Sequence, residues 1–374
     1  MIETAEKPKK AFLVGLWDDT RTKNEGTSLF RELVALADTL GLDIVGQELV
    51  HVRGRPQKYG LGTGKAQELY EKATSLDAEC ILFDRSISPT QQRNWEELCG
   101  ISAMDRHELI IQIFSSRATT REAQLQVALA ELYYSLPRLT HKYIDLSQQR
   151  GGRYGTRGSG ETKLETDRRQ VERQIQQIKA ELKEVHKQRE VQRSQRKRSQ
   201  IPTCAVAGYT NAGKSTLLNA LTDHWGDKNA EVFVEDKLFA TLDPTSRRIR
   251  TRAGNPLIII DTVGFIRQLP HDLITAFRST LEEVQLADLV VHVLDASDPD
   301  IRQYYETSAS VLRELGADKN PTIIALNKID KGDVPDLAAL QEWLPGSIPI
   351  SAQTGAGLEE LVEAIEEKLV SGKQ

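Results

Sequence analysis

Four short motifs in the second half of the chain carry residue types at spacings that could handle a nucleotide. The first is Gly208-Tyr209-Thr210-Asn211-Ala212-Gly213-Lys214-Ser215, followed by Thr216. Consecutive backbone N–H groups of such a loop cradle a β-phosphate, the Lys214 ammonium reaches the β- and γ-phosphates, and the Ser215 hydroxyl ligates Mg2+. The second is Asp261-Thr262-Val263-Gly264, in which Asp261 would hold the metal through water and the Gly264 N–H would meet the γ-phosphate. The third is Asn327-Lys328-Ile329-Asp330. A carboxylate at Asp330 accepts hydrogen bonds from guanine N1–H and the 2-amino group, both of which adenine lacks, so the base expected is guanine. The fourth, Ser351-Ala352, is placed for a backbone N–H to meet guanine O6. Together they predict a Mg2+-dependent enzyme that binds and hydrolyses GTP.

Three further positions refine that expectation. Thr241, in Phe239-Ala240-Thr241-Leu242-Asp243-Pro244-Thr245, can complete the magnesium shell when a γ-phosphate is present and release it afterwards, with Thr245 as the alternative and a plain loop threonine as the ordinary reading. Lys214, Gly264 and Thr241 are therefore the expected catalytic set. Phe265 stands where many GTPases place a glutamine that orients the attacking water, and a phenyl ring cannot hydrogen-bond. Slow intrinsic hydrolysis is the consequence expected. Asn211 is a candidate potassium ligand, because a monovalent cation among the phosphates would supply positive charge; an asparagine that only braces the loop is the other reading.

These motifs need a scaffold. Residues 203–207, 257–260, 289–294, 322–326 and 348–350 are near-continuous apolar runs, as strands buried on both faces require, and each motif follows one of them. The fold class expected is α/β: a small N-terminal α/β domain (1–118), an antiparallel helical hairpin (119–200), and a C-terminal P-loop G domain (201–374) with a mostly parallel, doubly wound sheet. In the first part, runs at 11–16, 43–52 and 78–84 alternate with helical patterns at 28–40, 64–76 and 88–99. Gly60-Leu61-Gly62-Thr63-Gly64-Lys65-Ala66 imitates a phosphate loop, but Tyr59 and Ala66 break the pattern, and a glycine turn opening a helix is expected instead.

Helices are expected at about 121–136, ending before Pro137, and at 161–198. Leu164, Val171, Ile175, Ile178, Leu182 and Val185 form a narrow apolar stripe in the second that matches Leu125, Leu129 and Leu132 in the first. Pairing within the chain is the expectation, and an intermolecular coiled coil would bury the same stripe. Between them lies a tip, 137–160, whose glycines permit close approach and whose Arg150, Arg153, Tyr154 and Arg157 suit phosphates and bases. A flexible linker is the alternative. Residues 151–200 carry 14 Lys or Arg against 7 Asp or Glu in a chain whose net charge is −5. A local basic element on an acidic body points to one specific polyanion contact rather than general adhesion, although a solvated helix face would show the same charge.

With 374 residues, 39% apolar and 28% charged, the chain has the make-up of a globular protein. No run approaches the length of a membrane span, and a cytoplasmic location is expected, with attachment to a membrane surface left open. Cys80, Cys99 and Cys204 lie too far apart for a close zinc pair and read as reduced thiols, while His271 and His292 read as structural.

Taken together these residues resemble the HflX family of ribosome-associated GTPases. The resemblance spans most of the chain. It is most specific in Gly155-Thr-Arg-Gly-Ser-Gly-Glu161-Thr-Lys-Leu164-Glu165-Thr-Asp167-Arg168-Arg169 and in Phe239-Ala240-Thr241-Leu242-Asp243-Pro244, and it includes Asp84-Arg85. It implies binding to the large ribosomal subunit and its rRNA, with the tip directed at the peptidyl-transferase region, and dissociation of stalled or idle ribosomes, a stress-response role. A ribosome-assembly factor without splitting activity is the second reading, and an ATP-dependent RNA remodeller the third. Neither DNA nor an oligomeric partner is expected. Ser159 stands where the family usually has proline, and no counterpart of the extra C-terminal domain of some members is expected after Ser351-Ala352.

Overall fold

A computed structural model describes residues 9–19, 22–54, 58–148, 159–198, 201–226, 239, 245–268, 278–331 and 337–371. The chain divides into two compact units, Met1–Ser116 with Leu125–Glu181 and Arg117–Gln124 with Leu182–Gln374.

In the first unit a parallel sheet has the order β2-β1-β3-β4, formed by β1 (Lys10–Asp18), β2 (Asp43–Val52), β3 (Cys80–Phe83) and β4 (Ser102–Asp105). Six consecutive residues of β1, Ala11 to Leu16, are buried, which accounts for the unbroken apolar run. Helices α1 (Lys23–Thr39), α2 (Thr63–Ser75), α3 (Pro89–Cys99) and α4 (Arg106–Arg117) complete it. Thr22 with Glu25, and Ser88 with Gln91, close reciprocal caps that start α1 and α3. The glycine-rich turn opens α2, and Lys65 in its first turn is held by Glu48 at 2.5 Å and Glu68 at 2.8 Å. Its ammonium is thereby committed to carboxylates. Strand β4 and helix α4 were not anticipated, because Ser102-Ala103-Met104-Asp105 is short and only half apolar.

Helix α5 (Arg121–Gln148) runs through Pro137 rather than ending before it. The proline removes one helix hydrogen bond. Tertiary contacts override that loss: Arg138 donates to Gln92 Oε1, to the Ile87 carbonyl and to Asp105 Oδ2 at 2.8–3.2 Å, and its guanidinium lies 3.4 Å over the Tyr134 ring. Helix α6 (Ser159–Arg198) returns beside α5 as expected, with Lys179 Nζ 5.5 Å from the Tyr133 ring centroid and Ile175 buried. Arg150, Arg153, Tyr154 and Arg157 lie outside the described residues.

The second unit holds a six-stranded sheet of order β10-β9-β8-β5-β7-β6. Its strands are β5 (Thr203–Gly208), β6 (Thr245–Arg250), β7 (Pro256–Asp261), β8 (Leu289–Asp295), β9 (Thr322–Asn327) and β10 (Ile348–Pro349). All pairs are parallel except β6 with β7. Strand β6 escaped sequence reading because Thr-Ser-Arg-Arg-Ile-Arg buries only Ile249, as an edge strand can afford. Helices α7 (Lys214–Trp225), α8 (Arg278–Gln285), α9 (Ile301–Glu314), α10 (Leu337–Trp343) and α11 (Leu358–Ser371) complete the described part. Leu217, Leu218 and Leu221 of α7 and Leu361, Val362 and Ile365 of α11 bury one core with Val206, Ile259, Val291 and Ile323 of the strands. That core fixes the first turn of α7 at the C-terminal end of β5. Among the described residues no helix is long and apolar enough to cross a membrane.

Candidate functional site

The carboxyl ends of β5, β7, β8 and β9 converge, and the predicted motifs stand there in the order expected for a doubly wound sheet. Between β5 and α7 the loop turns through three residues of positive φ: Gly208 at 151°, Asn211 at 60° and Gly213 at 91°. Asn211 tolerates the left-handed region better than most residues. Gly213 has a second reason to lack a side chain, because a Cβ there would collide with the Asn327 amide. Helix α7 begins with Gly213 as its cap and no side-chain acceptor on its first N–H groups. Such an uncapped start is suited to an anion.

Lys214 is buried, and its ammonium donates to the Tyr209 carbonyl at 2.8 Å. Burial lowers its pKa to about 8 against the attraction of Asp261, with the charge of Lys328 acting in the same direction as burial. A phosphate beside it would reverse this. Ser215 Oγ donates to Asp261 Oδ2 at 2.6 Å, so the two expected magnesium groups are neighbours, and Asp261 is fully buried. Hard oxygen donors so placed could hold Mg2+, directly by Ser215 and through water by Asp261. Thr241 lies outside the described residues. Thr245, its alternative, begins β6 directly opposite Asp261. Thr216 lies in the first turn of α7.

Gly264 packs against the phosphate loop so closely that an added Cβ would lie 2.8 Å from Thr210 Cα and 2.9 Å from Lys214 Nζ. Phe265 is fixed by its backbone: its N–H donates to the Gly208 carbonyl at 3.0 Å, and its carbonyl accepts from Thr210 N at 2.8 Å. Its ring is 1% exposed, so the residue in the usual glutamine position serves packing. Arg267 N donates to Tyr209 Oη at 2.8 Å, and Tyr209 stacks on Tyr304 with centroids 4.1 Å apart. Sequence reasoning missed this tyrosine; its place inside the phosphate loop was the available signal.

At the base-recognition end the side chains brace each other. Asn327 Nδ2 donates to the Ala212 carbonyl at 2.8 Å while its Oδ1 accepts from Ala352 N at 3.0 Å. Lys328, at φ 66°, donates to the Asn211 carbonyl and pairs with Asp295, both at 2.7 Å. Asp295 ends β8 and was also missed, although it follows an apolar run as Asp261 does. Asp330 Oδ1 accepts from Ser351 Oγ at 2.6 Å. The backbone N–H groups of Ser351 and Ala352 donate to Ala356 O and Asn327 Oδ1. The first of these bonds closes the loop on itself through residue 356.

His292 Nε2 meets Ser308 Oγ at 2.7 Å, and that hydroxyl donates to the Tyr304 or Tyr305 carbonyl, so His292 is the donor. Burial lowers its pKa to about 4 and keeps it neutral. The structural reading of His292 fits; His271 lies outside the described residues. Cys80 and Cys204 are buried thiols, and Cys99 is half-buried.

Comparison with known proteins agrees with this arrangement. Residues 27–115 match a family described as GTP-binding GTPase N-terminal, residues 117–196 its middle region, and residues 203–328 the family of 50S ribosome-binding GTPases. GTPase HflX of Akkermansia muciniphila is 43% identical over 386 residues, covering 99% of this chain and 87% of the relative. GTPase HflX of Escherichia coli K12 is 41% identical over 372 residues, with coverage of 99% and 85%. A crystal structure of a GTP-binding protein from Sulfolobus solfataricus in complex with GDP shares the fold at a TM-score of 0.51 and 22% identity, covering 97% of this chain and 99% of that one. An identity above 40% across nearly the whole chain, on top of the phosphate loop and base-recognition motifs set at the ends of one sheet, places this protein in the HflX family of GTP hydrolases.

Proposed function

We propose that this GTPase binds the large ribosomal subunit and its rRNA, and that its GTP-bound state dissociates stalled or idle ribosomes, with hydrolysis stimulated by the ribosome. The observation that carries the reading is the match of residues 203–328 to the 50S ribosome-binding family. The basic, glycine-rich segment with Arg150, Arg153, Tyr154 and Arg157 supports it as the rRNA contact. A three-part organisation, 1–118, 119–200 and 201–374, goes with it, and so does a monomer acting in the cytoplasm.

Within the site, Gly208, Asn211, Ala212, Gly213, Lys214, Ser215 and Thr216 take the phosphates, and Asn327, Lys328, Asp330, Ser351 and Ala352 form the guanine end. Ser215, Thr241 and, through water, Asp261 would hold Mg2+. When bound, the ion would supply positive charge against the phosphates. The residues fit it, since Ser215 Oγ and Asp261 Oδ2 already meet at 2.6 Å. Lys214 reaches the phosphates once its hydrogen bond to the Tyr209 carbonyl is exchanged for them, and Gly264 N–H turns to the γ-phosphate. Asn211 is the proposed potassium ligand; equal hydrolysis rates in sodium and potassium would remove that role.

The test of the main reading is sedimentation of intact ribosomes with this protein and non-hydrolysable GTP, against GDP. Subunits released only with the GTP analogue are expected. Intact ribosomes in both would leave the second reading, an assembly or RNA-binding factor timed by GTP. An ATP-dependent remodeller is disfavoured by Asp330 at the base site and by the carboxylates that hold Lys65 in the first unit.

A further inference from the structure

The edge strand β6 carries a charge that the GTP site does not use. From Ser246 to Arg252 the chain reads Ser-Arg-Arg-Ile-Arg-Thr-Arg, four arginines and no acidic residue, in a protein whose net charge is −5. Alternate residues of a strand share a face, so Ser246, Arg248 and Arg250 stand on one side of the sheet while Ile249 is buried on the other. Arg248 and Arg250 are exposed, and two rises of an antiparallel strand set them roughly 7 Å apart. Opposite them on β7 are Ile258 and Pro256, which offer no carboxylate. Arg252 is taken by Glu363 at 2.8 Å, whereas among the described residues the guanidinium groups of Arg248 and Arg250 have neither an ion-pair nor a hydrogen-bond partner.

Two ordinary explanations do not account for this charge. Charged side chains can keep the edge of a sheet from pairing with another chain, but the outer edge of β6 is already engaged at its centre, where Ile249 bridges Gly226 in antiparallel fashion. Charge also keeps copies of a protein apart, yet arginines on a chain of net charge −5 bring it nearer to neutrality. What the face lacks narrows the partner. Stable binding to a protein or a membrane uses apolar anchors besides charge, and the exposed large apolar side chains among the described residues, Leu76, Leu286 and Val370, all lie away from β6. What the face offers is two guanidinium forks in a row on one strand, a form that suits phosphate oxygens.

We propose that the exposed face of β6 is a second RNA-contact surface, on which Arg248 and Arg250 clasp backbone phosphates of the large-subunit rRNA. The proposal rests on the ribosome reading above, and it adds to the tip at 137–160 a contact on the nucleotide-binding unit itself. Contacts of this kind fix register and orientation and carry no base sequence.

The test measures binding of the full chain, with non-hydrolysable GTP, to purified large subunits over a range of potassium chloride concentrations. Each phosphate contact adds about one to the slope of log affinity against log salt, so Arg248→Gln combined with Arg250→Gln should lower its magnitude by about 2 and weaken binding about 10-fold or more at physiological salt. Arg248→Lys with Arg250→Lys keeps both charges and should keep most of the slope. Arg252→Gln, in the same segment but engaged by Glu363, should change the slope by less than about 0.5. GTP affinity and melting temperature of the double glutamine variant should match the parent, because both side chains are exposed and outside the nucleotide site; a fall in either would mean a structural role and overturn the proposal. Parent-like binding and slope in that variant would overturn it while leaving the ribosome reading in place. Weaker binding at an unchanged slope would overturn it too, since the contact would then be to something other than phosphate. A parent chain that does not bind the large subunit at all would remove the ribosome reading, and this surface with it.

Discussion

Asn327 Nδ2 donates to the carbonyl of Ala212 across 115 residues of sequence, at 2.8 Å, so one side chain fastens the base-recognition loop to the phosphate loop. With Ala352 N on its other end, it uses both faces of its amide on backbone. Asn327→Ala should therefore act on the site as a whole. Two buried backbone groups lose their partners, and unfolding free energy should drop by about 2–4 kcal/mol. GTP and GDP affinities should fall together, by about 10-fold or more, in equilibrium titrations; selective loss of one nucleotide would contradict the bracing role.

Lys214 should make nucleotide binding a proton-linked event. Its pKa is about 8 in the free protein, below the ordinary 10.5 because burial opposes the charged form, and phosphate oxygens favour that form. Binding must then raise the pKa and take up protons. At pH 8, where the free group is half protonated, uptake should approach about 0.5 proton per nucleotide, falling to about 0.1 at pH 7 and growing above pH 8. Affinity should accordingly weaken as pH rises past 8. Calorimetry in buffers of different ionisation enthalpy measures the uptake, and Lys214→Met should abolish it.

Asp330 tests the choice of base. Its carboxylate already accepts from Ser351 Oγ, which leaves its other oxygen to meet the guanine donors. Asp330→Asn replaces an acceptor by a donor where guanine also presents donors, and GTP affinity should fall by about 100-fold or more. Xanthosine triphosphate, with a carbonyl at position 2, should bind the variant better than GTP does. Unchanged guanine preference in competition titrations would remove Asp330 from the base site.

Arg138 should carry much of the stability of the first unit. Asp105 is fully buried and accepts from Ile87 N, Glu108 N, Tyr134 Oη and Arg138 Nη2 at 2.9–3.2 Å. Arg138→Ala removes the only one of those donors that is formally charged. A loss of about 2–4 kcal/mol is expected in chemical denaturation, since breaking a buried pair leaves its partner uncompensated. Nucleotide affinity, built in the other unit, should not change.

The phosphate loop, the Asp261–Gly264 turn and the Asn327–Asp330 loop were legible because each joins a residue type to a position: a polar motif directly after a run apolar on both faces. Strand β6 was not, because an edge strand needs only one buried residue, Ile249, and its arginines read as loop. The path of α5 through Pro137 was not legible either. Proline's local cost is visible in sequence, whereas the anchoring of Arg138 by Asp105, Gln92 and Ile87 depends on residues 33–51 positions away.

By itself the sequence set the residue types and their order, and with them the chemistry expected: phosphate-facing N–H groups, an ammonium, oxygen donors for a hard cation, a carboxylate for guanine, and a phenyl ring where glutamine would orient water. Residue type and local spacing suffice for that, because each group's reactivity is its own. Only the tertiary structure decided what those groups do to one another. Asn327 and Lys328 became braces of the phosphate loop, and Phe265 was turned into the core. Such pairings arise where strand ends converge, and burial then sets their strength, so neither can be read from neighbours along the chain.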